Sequence, residues 1–206
     1  PGMDGSAAFD LSSLYVGKTF GDSVSMIIGK INMIETVSVK PFMGGAGIDA
    51  FWNQTFVATP TGTVPPYLFG ALTSVRTEPA TYRLWIYDPI SAVNKSSLND
   101  LFADGVAFRA SVEFPVNIAG RPGHQGFTAF YSTQDGTDFE SLDDIYLPAP
   151  VPGTVTFKDS RYYFAYSFDH TPSQEIGNPA ENSAGFGLVG LSDGKPNALH
   201  GAFLCG

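Results

Sequence analysis

Segments of this chain alternate apolar and polar residues over about ten positions, and the links between them are in turn very short and very long. Few folds satisfy both conditions. Strict alternation gives a strand with two unlike faces, because successive side chains point to opposite sides. Val106, Phe108, Ala110, Val112 and Phe114 share one face, while Ala107, Arg109, Ser111 and Glu113 share the other. From Arg161 to Asp169 the split repeats, with Tyr162, Phe164, Tyr166 and Phe168 opposite Arg161, Tyr163, Ala165, Ser167 and Asp169. Between Tyr82 and Asp88 the apolar set is Tyr82, Leu84 and Ile86, opposite Arg83, Trp85 and Tyr87. The stretch Tyr67 to Arg76 alternates more weakly, with Phe69, Ala71 and Val75 outward.

Alternation alone fits a soluble sandwich as well as a barrel in a membrane, since in either case one face is apolar. Connection lengths separate the two. Gly21-Asp22, Glu78 to Ala80 and Ile118 to Gly123 carry turn chemistry, whereas 32–66, 89–104 and 134–160 are long and rich in Gly, Pro and Asp. Short and long links alternate, so every long link emerges on the same side of the sheet. That is the signature of an up-and-down barrel; Greek-key sandwiches mix their connections. The expected fold is all-β: a transmembrane antiparallel up-and-down β-barrel with long extracellular loops.

Composition agrees with a chain that meets two solvents: 15% of the 206 residues are charged and 14% are aromatic. No apolar run is long enough for a transmembrane helix, which says nothing against strands. A formal net charge of −9 argues against a nucleic-acid partner, which would need a basic surface. The single cysteine, Cys205, has no intramolecular disulfide partner. Residues 1–206 read as one partial barrel domain of about nine strands; because bacterial single-chain barrels have even strand numbers, the expectation is a piece of a larger barrel.

Three motifs invite chemistry and are better read as structure. Gly21-Asp22-Ser23 resembles the first block of GDSL esterases, with Ser23 as nucleophile, but none of His124, His170 or His200 follows an Asp at the family's spacing. A hairpin turn is the favoured reading. Gly185 to Gly190 matches G-x-G-x-x-G without the helix that the dinucleotide fingerprint requires, so its glycines suit close backbone approach in a strand. Asp135, Asp138, Glu140, Asp143 and Asp144 form an acidic group without the glycine of a Ca²⁺ loop, and a solvated loop is expected. No catalytic residue, cofactor or metal ion is expected.

The residues between these strands resemble the carbohydrate-selective porin (OprB) family of Gram-negative outer membranes. The resemblance is carried, in order, by Gly29-Lys30-Ile31-Asn32, Pro41-Phe42-Met43-Gly44-Gly45-Ala46-Gly47-Ile48-Asp49, Phe51-Trp52-Asn53, Pro65-Pro66-Tyr67-Leu68-Phe69-Gly70, Tyr87-Asp88-Pro89, Gly126-Phe127, Gly185-Phe186-Gly187-Leu188 and Ser192-Asp193-Gly194-Lys195-Pro196-Asn197. It departs at Lys195, where that family usually has Asn, and the strand before that turn reads a residue or two short. The resemblance implies a sixteen-stranded trimeric channel that passes sugars and small solutes by diffusion across the outer membrane, in contact with its lipid and narrowed by loops folding inward.

In such a barrel Arg83, Trp85, Tyr87, Arg109, Glu113, Arg161, Tyr163 and Asp169 share the inward parity and are the expected pore-lining, sugar-contacting residues. Guanidinium and carboxylate groups hydrogen-bond hydroxyls, and aromatic rings receive the C–H face of a pyranose. The loop 32–66 is the expected constriction. Two rivals from other classes stand beside the channel: a soluble β-rich carbohydrate-binding module, and less favoured, a GDSL-like esterase acting through Ser23.

Overall fold

The computed structural model describes residues 11–33, 64–93, 98–138, 141, 156–174, 182–193 and 201–205, with backbone alone for 171–174, 182–184 and 201–205. Its strands are β1 (Leu14–Phe20), β2 (Val24–Asn32), β3 (Tyr67–Arg76), β4 (Thr81–Tyr87), β5 (Ala107–Ile118), β6 (Arg121–Ser132), β7 (Gly136–Thr137), β8 (Phe157–Lys158), β9 (Arg161–Gln174), β10 (Asn182–Ser192) and β11 (Gly201–Cys205). Nine of them form one sheet in the order β1-β2-β3-β4-β5-β6-β9-β10-β11, every neighbouring pair antiparallel. Chain order equals sheet order apart from the inserted β7–β8 ribbon. The up-and-down topology expected from the alternating links is therefore present, and among the described residues β1 and β11 each have one strand neighbour.

The short links are tighter or longer than the sequence suggests. Phe20 pairs with Val24, so Ser23 belongs to the turn together with Gly21 and Asp22, and Gly21 takes the left-handed conformation at φ 58° that glycine adopts without strain. Ile118 pairs with Arg121, which reduces the expected 118–123 link to Ala119-Gly120, both at positive φ. That is the two-residue hairpin whose twist matches the strands it joins. Between β3 and β4 the Thr77 N–H and hydroxyl both donate to the Ala80 carbonyl, at 2.8 and 2.9 Å.

Asp88 governs the described part of the long link that follows β4. It is 5% exposed, and its two carboxylate oxygens accept from the Ile90 N–H at 2.9 Å and the Phe102 N–H at 3.1 Å, tying the two ends of the loop together across 14 residues. Asp88→Ala removes both acceptors and is expected to loosen this loop by roughly 2–4 kcal/mol. Hydrogen exchange at the Ile90 and Phe102 amides should accelerate while the β5–β6 ladder keeps its protection; unchanged exchange at Phe102 would contradict this role. In the link between β6 and β9 the small β7–β8 ribbon, unforeseen from sequence, is braced by Lys158 Nζ 3.8 Å from Asp138 Oδ2. Asp138 of the acidic group is thus engaged by a cation; Glu140, Asp143 and Asp144 lie outside the described residues.

Directly paired residues in an antiparallel sheet share a face, so the register sorts every side chain. One face carries the rows Val16–Ile28–Ala71–Ile86–Phe108–Tyr131–Tyr162, Thr73–Leu84–Ala110–Ala129–Phe164–Leu191 and Phe20–Val24–Val75–Tyr82–Val112–Phe127–Tyr166–Val189. These rows hold most of the exposed large hydrophobics among the described residues, including Leu84 at 51%, Phe127 at 50% and Phe164 at 53%. The other face carries Leu72, Phe130, Tyr163 and Tyr87, none more than 6% exposed, together with Arg83, Arg109 and Glu113. The apolar face is therefore the one turned outward, and the charge-bearing face is sheltered. In water that arrangement would leave a broad apolar surface wet, at roughly 25 cal/mol per Å²; in hydrocarbon it is the stable one.

The outer face also carries its aromatics in contact: Phe127 lies 5.2 Å from Tyr166 and 6.3 Å from Phe114, and Tyr166 lies 6.0 Å from Phe168. Lys18, on the outer row two residues from the β1–β2 turn, places its ammonium 4.9 Å from the Phe20 ring, an amphipathic anchor of the kind found at a membrane boundary.

Candidate functional site

Inward-facing residues form parallel rows about 6.8 Å apart, two residues per step along each strand. At the long-loop end one row runs Gly70–Tyr87–Ala107–Ser132–Arg161. Next comes Leu72–Trp85–Arg109–Phe130–Tyr163–Ser192, then Ser74–Arg83–Ser111–Thr128–Ala165–Gly190, then Thr81–Glu113–Gly126–Ser167. The row Pro115–His124–Asp169 follows toward the short turns. All eight expected pore-lining residues thus lie on one face, but they do not form one cluster: Arg161 and Asp169 are eight residues apart on β9, about 27 Å along the strand.

The rows closest to one another bring most of the chemistry together. Arg83 Nη1 stands 3.5 Å from Glu113 Oε2 across one row step, with both side chains about one-third exposed. Arg109 faces Trp85 directly across β4–β5, its guanidinium carbon 5.2 Å from the ring centroid. Arg161 Nη2 donates to Gln134 Oε1, while its Nε is buried with no acceptor among the described residues. Tyr87 and Tyr163 are buried, at 0% and 3% exposure, and act as walls behind the arginines. Asp169 belongs to a different station: its Oδ1 lies 3.0 Å from His124 Nδ1 at the turn end.

Glycines make room for these tyrosines. A Cβ at Gly190 would stand 2.7 Å from Tyr163 Cε2, so the ring lies flat across β10 only because position 190 has no side chain. Of the glycines in the G-x-G-x-x-G match, Gly190 thus has the close-approach role in a strand that was expected.

His124, Gln134 and Ser192 were missed in the sequence. Ser192 is fully buried in the row of Tyr163. The alternation of β6, with Gln125, Phe127 and Ala129 outward, would have put His124 on the inner face; no spacing rule reveals Gln134, which reaches Arg161 through a fold-dependent contact of a loop residue. Ser23 lies in the β1–β2 turn, where its carbonyl accepts the Arg76 N–H at 2.7 Å. The strand β2 that follows it is four places from β6 in the sheet, about 19 Å from His124's strand, too far for a nucleophile and its base. Among the described residues no three His, Cys, Asp or Glu side chains converge as a metal site. The expected constriction loop between its ends, 34–63, and Lys195 fall outside the described residues.

A recess of about 810 Å³ opens on the other side of the sheet, over Ala110 and Ala129 and between Leu84, Tyr82, Phe127 and Phe164. Most of its lining side chains belong to the outer rows and are apolar, while Arg83, Ser111, Thr128, Ala165 and Gly190 of one inner row also border it.

No family model matches the sequence, and no curated protein matches it. Among solved structures the chain is similar to Pseudomonas putida OprB determined at high pH, with a TM-score of 0.72 at 12% identity, over 95% of this chain and 48% of that one. The chain spans about half the length of that structure. Its open, up-and-down sheet with an apolar outer face and charged inner rows therefore has an OprB-like porin fold.

Proposed function

We propose that this chain is part of an outer-membrane channel that passes sugars and other small solutes by diffusion, without catalysis. One observation carries the reading: the exposed face of the sheet is aromatic and aliphatic, while Arg83, Arg109, Glu113 and Arg161 line the sheltered face. A soluble carbohydrate-binding module would have these faces the other way round, and among the described residues neither His124 nor His170 lies near enough to Ser23 to serve as an esterase's base.

The inner rows suit hydroxylated, uncharged solutes. Guanidinium groups offer several N–H donors in a fixed plane, Glu113 offers acceptors, and the tyrosine and tryptophan rings narrow the wall without adding charge. Among the described residues no single carboxylate or arginine pair clamps a solute from all sides, and weak, repeated contacts let it leave as readily as it enters. Arg83, Trp85, Tyr87, Arg109, Glu113, Arg161, Tyr163 and Asp169 are proposed as the lining residues, with a Gram-negative outer membrane as the setting, its lipid against the outer rows, and a homotrimer as the assembly.

The test is reconstitution of the full-length protein in liposomes and planar bilayers. Liposomes are expected to swell in isosmotic monosaccharide, and the channel is expected to conduct ohmically. Arg109→Ala should lower the anion-to-cation permeability ratio several-fold, read from the reversal potential in a salt gradient. A folded protein with neither swelling nor conductance would sink the channel reading.

A further inference from the structure

We infer that Trp85 is a positioning residue: it holds the Arg109 guanidinium in place on the channel wall and is not itself a platform on which a sugar stacks. The inference rests on the channel reading above and assigns Trp85 a different task from the one its aromatic ring first suggests.

Two arginines on adjacent rows are restrained by unlike partners. Arg83 is held by the carboxylate of Glu113 at 3.5 Å, so much of its charge is compensated locally. Arg109 has no ion-pair partner among the described residues; its guanidinium lies against the Trp85 ring, at a separation within the range of cation–π attraction, with the Tyr87 and Tyr163 side chains near enough to act on its charge. A ring restrains a guanidinium without neutralising it. Trp85 and Arg109 are also direct cross-strand partners, so the ladder itself fixes their approach.

The rest of the row fixes the ring. Leu72 is paired with Trp85 on its other side and is 6% exposed, and the half-buried indole packs against the cluster of Leu72, Tyr87, Phe130 and Tyr163. One side is packed on this cluster and a ring face is taken by the guanidinium, so a pyranose stacking there would have to displace Arg109. Beyond Arg109 stand Phe130 and Tyr163, each 3% exposed. The row thus reads as a braced line in which Arg109 is the only formal charge. Its long side chain has many rotamers, and the stack selects one.

The experiment is a double-mutant cycle on the full-length protein in planar bilayers, reading the reversal potential in a salt gradient and the block of ion current by glucose. Trp85→Ala is expected to produce at least half of the selectivity shift seen in Arg109→Ala although no charge is removed. Trp85→Phe, which keeps a ring face, is expected to retain most of the wild-type value. Trp85→Leu fills the volume without a π-face and should behave as Trp85→Ala, which separates the stack from a packing defect and serves if the alanine variant folds poorly. In the Arg109→Ala background, Trp85→Leu should change neither readout further.

The inference is overturned if Trp85→Leu keeps wild-type selectivity, or if it weakens glucose block by the same factor with Arg109 present or absent; the second result would make the ring a sugar platform. A wild-type protein that inserts and does not conduct would instead overturn the channel reading, and this inference with it.

Discussion

Arginine in place of Leu84 is expected to destabilise the folded protein by about 2–4 kcal/mol in a bilayer, the range for a cation placed at the depth of the hydrocarbon midplane on the lipid face of a barrel. Leu84 is the middle residue of β4, is 51% exposed, and sits in the outer row between Thr73 and Ala110. Thr128→Arg is the matched control, because Thr128 lies on the inner face between Ser111 and Ala165. It is expected to cost less than about 1 kcal/mol, since a lumen side chain stays in contact with water. Denaturant titration of folding into lipid vesicles measures both. Were the sheet soluble, the half-exposed Leu84 would accept arginine at little cost and the contrast would vanish.

The second large effect comes from adding a single methyl group. A Cβ on Gly70 would stand 2.5 Å from the Ile86 carbonyl oxygen and 2.6 Å from Tyr87 Cβ, while Gly70 and Tyr87 are direct partners across β3–β4. Strand glycine is ordinarily a weakness that alanine mends by reducing the freedom of the unfolded chain. Here the added atom meets backbone, and overpacking of this kind costs about 1–3 kcal/mol. Tyr87→Ala cannot relieve it, because the tyrosine's own Cβ and the Ile86 carbonyl remain. Gly190→Ala makes the informative comparison: its clash is with the Tyr163 ring, so Tyr163→Ala should cancel most of its cost in a double-mutant cycle. Equal rescue at both positions would show that the Gly70 contact is softer than its geometry implies.

The strands and their faces were legible because a strand writes its burial into the sequence with period two. Ala107 to Phe114 and Arg161 to Asp169 were assigned to the faces that the register gives them. The turns were legible in kind and not in extent: nothing in Ile118 to Gly123 says that pairing persists to Ile118 and Arg121, since Gly123 and Pro122 themselves read as turn residues. There the long antiparallel ladder of β5 and β6 overrides local turn chemistry.

The site divides in the same way. Parity alone put Arg83, Trp85, Tyr87, Arg109, Glu113, Arg161, Tyr163 and Asp169 on one face, as it must for any chain that alternates. Which of them meet depends on the stagger between strands, which parity does not encode. A shift of two residues in the β4–β5 register would keep every face and still separate Trp85 from Arg109. Asp169 was grouped with the arginines and stands instead beside His124, several rows away.

Alternation and link length, both local properties of the chain, were enough to specify an antiparallel up-and-down sheet with one apolar side. Alternation by itself could not say which side is sheltered; only the alternating short and long links favoured a barrel, with its apolar side toward lipid. An apolar stripe faces a core in water and faces lipid in a membrane, and the two read identically along the chain. The tertiary structure decided it through the pairing of nine strands in chain order, which leaves Leu84, Phe127 and Phe164 exposed on one face and collects the charges on the other. It also decided the neighbours of each charge. Contacts such as Arg83 with Glu113 and Arg161 with Gln134 join residues about 30 positions apart in sequence, and only the closing of β-ladders over that separation brings them together.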